Sequence, residues 1–282
     1  MKYEIIEGIK YTKPKVTLLQ HNGIGVSEVA ARSCYDSFDN SENECVKELN
    51  DLVNANEITD VTLENVNDIE SSELLDNLAW TYFHHSILEH AVISFLVRGT
   101  SRAVLQEHAR HRIQAISVRS TRYTMSSVIN AYISSLKSTD SKNWFINKIS
   151  ELNMLVTMDP TYSAIEIGCM YDKLQHQRIL ISDAEFIKIS IAKSSLPYLN
   201  ITNPDELYNK LQEGKNKRNV GDAFKHIVTD NFKVDMVVTF NIRSLKNYFT
   251  LRDSGAAYFG ICWLAQEMKK VTPEKYLKLI VK

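Results

Sequence analysis

Cysteine is scarce in this chain and never paired. Its four residues, Cys34, Cys45, Cys169 and Cys262, stand far apart, and no CxxC occurs. That excludes a disulfide framework and reads as the reduced thiols of a cytoplasmic protein. Long apolar runs are also missing. No stretch approaches the roughly 18–20 apolar residues that a membrane span needs. The first segment, MKYEIIEGIKYTKPK, has charges inside its first apolar stretch and no small-residue cleavage site, so no secretory leader is expected. Net charge is nearly absent as well: the formal value is −1 over 282 residues, so any basic site must be local. GxSxG, P-loop and GxGxxG patterns are all wanting. What remains, 44% hydrophobic and 24% charged, suits a soluble globular protein.

One further absence is local and points somewhere. The chain prefers lysine, with 22 Lys to 11 Arg, yet Arg98–Arg122 holds six of the Arg and no Lys. A solvated face accepts either cation. Excluding Lys implies that the planar, bidentate guanidinium fork is needed, as for phosphate, carboxylate or a flat heterocycle. Glu107 is the only acid in that segment, which leaves it under-neutralised. The competing interpretation is a surface salt-bridge cluster.

Along the chain, Lys15–Leu19 predicts a short strand and Val26–Tyr35 the start of a helix. The span Asp36–Asp76 carries 13 acids against one base, Lys47, and fits the solvated faces of helices and loops. Helical spacing returns over Leu74–His85 through Leu74, Leu75, Leu78, Ala79 and Tyr82. Ala91–Val97 reads as a buried strand broken by Gly99, after which Thr100 or Ser101 caps a helix over Arg102–Ala109. Ile113–Arg119 is extended, and Asn143–Leu199 is mostly helical in pattern. Asn200–Lys233 looks like an insertion. Val234–Phe240 predicts a strand, and Ser244–Lys270 a helix interrupted near Asp253–Gly255. Strands alternating with helices favour an α/β or α+β fold, a mixed sheet flanked by helices.

Three constellations carry chemistry. Arg110-His111-Arg112 cannot face one ligand from mid-helix, because successive side chains point about 100° apart. At a helix end followed by extended chain they can fan around a bound group. Ser120, Thr121 and Arg122 then offer two hydroxyls and another fork, a phosphate cradle. His84, His85, Glu89 and His90 invite a zinc interpretation, but the spacing is HxxxEH rather than HxxEH and no two of these His are four apart, so metal is not expected. In Asn241–Arg252, Arg243 and Asn247 share a helical face at i, i+4, with Leu245, Phe249 and Leu251 as packing. Arg252 lies nine residues past Arg243, near 180° round the helix, and so addresses a different ligand or subunit. The apolar settings of Cys169 and Cys262, with no His near Cys34 in sequence, make covalent catalysis by a thiol a weak expectation.

Arg110-His111-Arg112 followed after seven residues by Ser120 resembles the RHR-x7-S signature of flavin-dependent thymidylate synthases. The likeness extends to Ala30–Tyr35, to His84–Phe95 (with Leu88 where the family has Phe), to Ser101-Arg102, and to Asn241-x-Arg243-Ser-Leu-x-Asn247-x-x-x-Leu-Arg252. These segments run in order over nearly the whole chain. The resemblance implies one domain, 1–282, with the thymidylate synthase-complementing-protein-like fold and a family-variable insertion near 198–235. It implies a cytoplasmic flavoprotein methyltransferase of dTMP biosynthesis that converts dUMP to dTMP, with FAD as cofactor. Methylenetetrahydrofolate would donate the carbon and NADPH the reducing equivalents, with tetrahydrofolate released. It also implies a homotetramer with shared active sites, and neither nucleic acid nor membrane as partner.

By the same resemblance, Ser86, Arg110, His111, Arg112, Val118, Asn241, Arg243 and Asn247 would contact FAD. Glu107, Arg110, Arg119, Ser120, Thr121, Arg122, Lys193 and Arg252 would hold dUMP, with Arg252 the catalytic residue that stabilises the ionised uracil. Three positions depart from the family pattern: Glu107 stands where many members have Gln, Val118 where an acid is common, and Lys193 where Arg is common. Two other classes compete. One is a single-strand or RNA binder using the Arg segment as a backbone track, which sparse aromatics and the −1 charge disfavour. The other is a non-catalytic nucleotide-binding homologue.

Overall fold

The computed structural model of the chain describes residues 3–6, 9–55, 60–120 and 233–282. Thr121, Arg122 and Lys193 lie outside the described residues, as do the helical expectation for 143–199 and nearly all of the 200–233 segment. The chain forms two compact units. One comprises Met1–Lys13, Gly99–Leu105 and Val118–Asp235; the other comprises Pro14–Arg98, Gln106–Ser117 and Met236–Lys282.

In the first unit, β1 (Tyr3–Ile6) and β2 (Ile9–Thr12) pair antiparallel. The second unit begins with β3 (Lys15–His21) and α1 (Gly25–Tyr35). There follow α2 (Glu44–Ala55), α3 (Asp60–Asn67), α4 (Glu73–Trp80) and a 3-10 turn over His85–Glu89. The next elements are β4 (Val92–Ser101), α5 (Arg102–His108) and β5 (Ala115–Val118). After the undescribed stretch come β6 (Lys233–Asn241), α6 (Ile242–Arg252), α7 (Phe259–Val271) and α8 (Glu274–Ile280). Four strands form one sheet in the order β3-β4-β6-β5, with β3 antiparallel to β4 and an irregularity between Leu18 and Gln20. The fold is mixed α/β, with helices against the sheet.

Burial explains the order. On β4, Ile93, Phe95 and Val97 are fully buried, and Met236, Val238 and Phe240 alternate inward on β6. Ser94, also buried, bonds Thr239 Oγ1 at 2.7 Å, so its hydroxyl is not left unsatisfied inside the sheet. Helix α7 covers β3 with Ile261, Leu264, Ala265 and Met268, while α6 packs on the 3-10 turn and on α7 and α8. Lys275, only 7% exposed, reaches the carbonyls of Asn67 and Ile69 at 3.3 Å each and Glu70 Oε1 at 3.1 Å. A cation there satisfies acceptors just past the end of α3.

Three local expectations change. The helix from Leu74 stops at Trp80, and Tyr82 is 62% exposed rather than packed. The N–H groups of Thr81 and Tyr82 both donate to Asn77 O at 2.9 Å, and Phe83 turns the chain at φ 55°. Gly99 does not break β4, which runs on to Ser101. It holds φ 79° within the strand and donates its N–H to Asp235 Oδ1 at 2.8 Å. Of the two capping candidates, Ser101 takes the role, its hydroxyl accepting from Val104 N at 3.3 Å.

A Cβ at Gly99 would meet nothing within 4 Å, so the backbone angle alone decides its identity. Gly99→Ala is therefore expected to destabilise by about 1 kcal/mol. Urea denaturation checks this, and an unchanged midpoint would show that the strand relaxes there at no cost.

Candidate active site

A cleft of about 1120 Å³ opens in the second unit, lined by the Arg110–Ile113 turn, by α6 and by the chain after it. Strand β6 ends at Asn241 and α6 begins at the next residue. The Asn241 side chain accepts from Ser244 N at 2.8 Å, which caps the helix, and Ile242 N donates to Ala91 O at 2.9 Å. Ile242, Leu245, Tyr248 and Phe249 form the buried face of α6. Leu251, expected to pack, is instead 50% exposed and lines the cleft; buried Tyr248 takes its place.

The cleft-facing stripe of α6 is Arg243, Lys246, Asn247, Thr250 and Leu251, at i, i+3, i+4, i+7 and i+8. Across from it stand Arg110, His111, Arg112 and Ile113, where α5 has ended at His108. The fan of three consecutive side chains expected from a helix end is thus present. Five cations (Arg110, Arg112, Arg243, Lys246 and Arg252) line the cleft, and its described lining contains no carboxylate.

Arg252 closes one end of α6. Its Nε donates to His111 Nε2 at 2.9 Å, its Nη1 to Glu107 Oε2 at 3.1 Å and its Nη2 to the Glu107 carbonyl at 3.5 Å. A guanidinium can only donate, so His111 Nε2 accepts and the ring proton belongs on Nδ1. Burial, and then the Arg252 charge, hold the His111 pKa below the ordinary imidazole value. That agrees with a neutral, accepting ring. Arg243, near 180° away on the helix, pairs with Glu89. Both arginines nonetheless line one cleft, which runs along the helix from Arg243 in its first turn to Arg252 at its last residue.

Behind the cleft wall lies a buried polar layer. Tyr248, fully buried, meets the His111 ring edge-on at 4.7 Å between centroids and shares a 3.1 Å hydrogen bond with His108 Nδ1. His108 is itself fully buried, against Phe240, and its Nε2 has no hydrogen-bond partner among the described residues. Burial pushes its pKa down to about 4, and burial pushes the Tyr248 phenol far above its ordinary range. Both groups therefore remain neutral near pH 7.

Of the sequence-proposed residues, Arg110, His111, Arg112, Arg243, Asn247 and Arg252 come together on the cleft. Glu107 adjoins it through Arg252. Ser86 is exposed in the 3-10 turn, beside cleft-lining His85. Asn241 is committed to the helix cap. Val118, Arg119 and Ser120 belong to the other unit, where the Arg119 N–H donates to Asp235 O at 2.8 Å. Among the described residues, no three of His, Cys, Asp and Glu gather in a way that could hold a metal ion, and no helix is long and apolar enough to cross a membrane.

The sequence reading did not assign Lys246, and it named His85 only within the histidine cluster, without a place on the cleft. Lys246 Nζ sits 3.6 Å above the Trp80 ring and donates to Ala79 O at 3.2 Å, which His85 Nε2 also approaches at 3.0 Å. Its position three residues after Arg243 was the available signal. Tyr248 and His108 were missed as well, since a buried aromatic and a lone His read as ordinary core.

The family model described as "Thymidylate synthase complementing protein" matches residues 17–275. The chain belongs to this family. Among curated family members, the flavin-dependent thymidylate synthase of Wolinella succinogenes is 25% identical over 261 residues, covering 93% of this chain and 94% of its own. That of Campylobacter jejuni is 25% identical over 269 residues, 93% of each. Among solved structures, thymidylate synthase X of Helicobacter pylori, crystallised with FAD and dUMP, superposes with a TM-score of 0.55 at 19% identity. That match covers 95% of this chain and 97% of the other, and it establishes a shared fold.

Proposed function

We propose that this chain is a flavin-dependent thymidylate synthase that converts dUMP to dTMP. The observation that carries the proposal is a cleft lined by five cations and, among its described residues, no carboxylate, beside the Arg110-His111-Arg112 turn. Such a wall suits phosphate-bearing ligands. Apolar Ile113, Leu251, Ala256 and Ala257 share that lining, which fits the flat, partly apolar body of FAD alongside its phosphates. A bound flavin would supply the hydride chemistry that no side chain can.

In this proposal, Arg110, His111, Arg112, Arg243 and Asn247 orient FAD, with Ser86, Asn241 and Val118 as further contacts. Arg119, Ser120, Thr121, Arg122 and Lys193 hold dUMP with Arg110, and Arg252 stabilises charge on its ring. NADPH is the reductant and methylenetetrahydrofolate the carbon donor. The protein acts in the cytoplasm as a homotetramer with shared active sites, each chain one functional domain. The named relatives and the family membership support this reading.

The purified protein is expected to be yellow, to bleach with NADPH, and to reoxidise with methylenetetrahydrofolate plus dUMP. A protein that takes up no flavin, even on reconstitution, would end the proposal.

A further inference from the structure

In its present geometry Arg252 is not a free cation. Three of its donors are already engaged, two of them by one residue: the Glu107 carboxylate at 3.1 Å and the Glu107 carbonyl at 3.5 Å. The third rests on the neutral His111 ring at 2.9 Å. The two side chains are 18% and 33% exposed, so their charges are only partly screened by water. Two further guanidinium N–H donors are left for a ligand. Glu107 is also the only acid between Arg98 and Arg122, and it is spent on an arginine at the other end of the chain.

We propose that Glu107 is a positioning residue that acts through Arg252 rather than on the ligand. It fixes the guanidinium against the cleft wall and cancels most of its charge. This rests on the functional reading above and deepens it. A paired guanidinium attracts a fully formed anion such as phosphate weakly, because the carboxylate repels that anion at nearly the same distance. It still offers two oriented N–H groups to an oxygen or nitrogen whose negative charge grows during reaction. Glu107 therefore holds Arg252 toward the reacting ring and weakens its pull on phosphate. Interactions that strengthen only as charge develops raise turnover, whereas ground-state anion binding lowers KM alone.

The test uses the full-length protein with Glu107→Gln and Glu107→Ala. The carboxamide oxygen of the Gln variant still accepts from Arg252 Nη1 but no longer cancels its charge. That variant is expected to bind dUMP about 3–10-fold more tightly by calorimetry, with a steeper loss of affinity as salt rises, and to show a lower KM without a higher kcat. The Ala variant releases the guanidinium and loses kcat by about 10-fold or more, which Gln largely restores. Unchanged or weaker dUMP binding in Glu107→Gln, or Gln and Ala variants that behave alike, would overturn the inference. If the wild-type protein binds neither FAD nor dUMP, the functional reading falls by itself. Inorganic pyrophosphate then serves as the probe, and the inference still requires tighter binding in the Gln variant.

Discussion

Arg252→Ala is expected to cut dTMP formation at least about 100-fold, roughly 2.7 kcal/mol of transition-state stabilisation, while flavin stays bound. The substitution does two things at once. It removes the donors aimed at the cleft, and it leaves the Glu107 carboxylate without its cation. A bare carboxylate at that place repels any anionic ligand, so dUMP binding should weaken as well. FAD is expected to persist because Arg110, Arg112, Arg243 and Lys246 remain on the cleft wall. Steady-state turnover, the flavin absorbance of the purified variant and dUMP calorimetry together check this. Adding Glu107→Gln to Arg252→Ala should recover part of the dUMP affinity and none of the turnover. Loss of flavin with intact dUMP binding would show that the roles of the two ends of α6 have been exchanged.

The second large effect concerns acid. Burial is the main cause of the low His108 pKa, near 4 against an ordinary 6.5; Gln114 opposes the shift, and the His111 and Arg252 charges add to it. The unfolded chain therefore binds a proton near pH 6.5 that the folded chain refuses until about pH 4. Stability is retained above pH 6.5 and lost as pH falls from about 6.5 to about 4. The limit for this single group is about 3 kcal/mol. His111 is shifted in the same direction and adds to the loss over an upper part of that window. Denaturation midpoints measured between pH 4.5 and 7 should fall steadily in the wild type. His108→Gln, which keeps a polar group facing the Tyr248 hydroxyl, should flatten that slope by about one proton. Parallel slopes in the two proteins would mean that His108 is protonated inside the fold after all.

Much of this architecture was legible beforehand, and the misses have physical causes. Strands β4 and β6 announced themselves because both are runs rich in β-branched and aromatic residues with alternate side chains buried, Ile93 to Val97 and Val234 to Phe240. The Arg110–Arg112 fan was legible because α5 had to end before it. The overrun of α4 came from Tyr82 continuing a 3.6-residue rhythm, although the helix had already ended at Trp80 and the chain turns at Phe83. Leu251 was misplaced because hydrophobicity alone does not say which rim residue meets solvent. The contacts that define the site join residues 145 apart for Glu107 with Arg252 and 140 apart for His108 with Tyr248. Local pattern carries no information about such pairs. Composition marked Glu107 only as the single acid of an under-neutralised arginine-rich stretch, and its pairing with Arg252 came from the fold.

The direct passage from β6 into α6 has a consequence for sequence variation. Asn241 is both the last residue of the strand and the cap of the helix, so no loop separates them. One residue inserted there would turn α6 by about 100° relative to the sheet. Arg243, Lys246, Asn247 and Arg252 would swing off the cleft together, and Tyr248 would leave His108. Point substitutions at this junction test one contact at a time, but a change in length tests the whole wall. The junction should therefore tolerate exchange of residues far better than a change in their number.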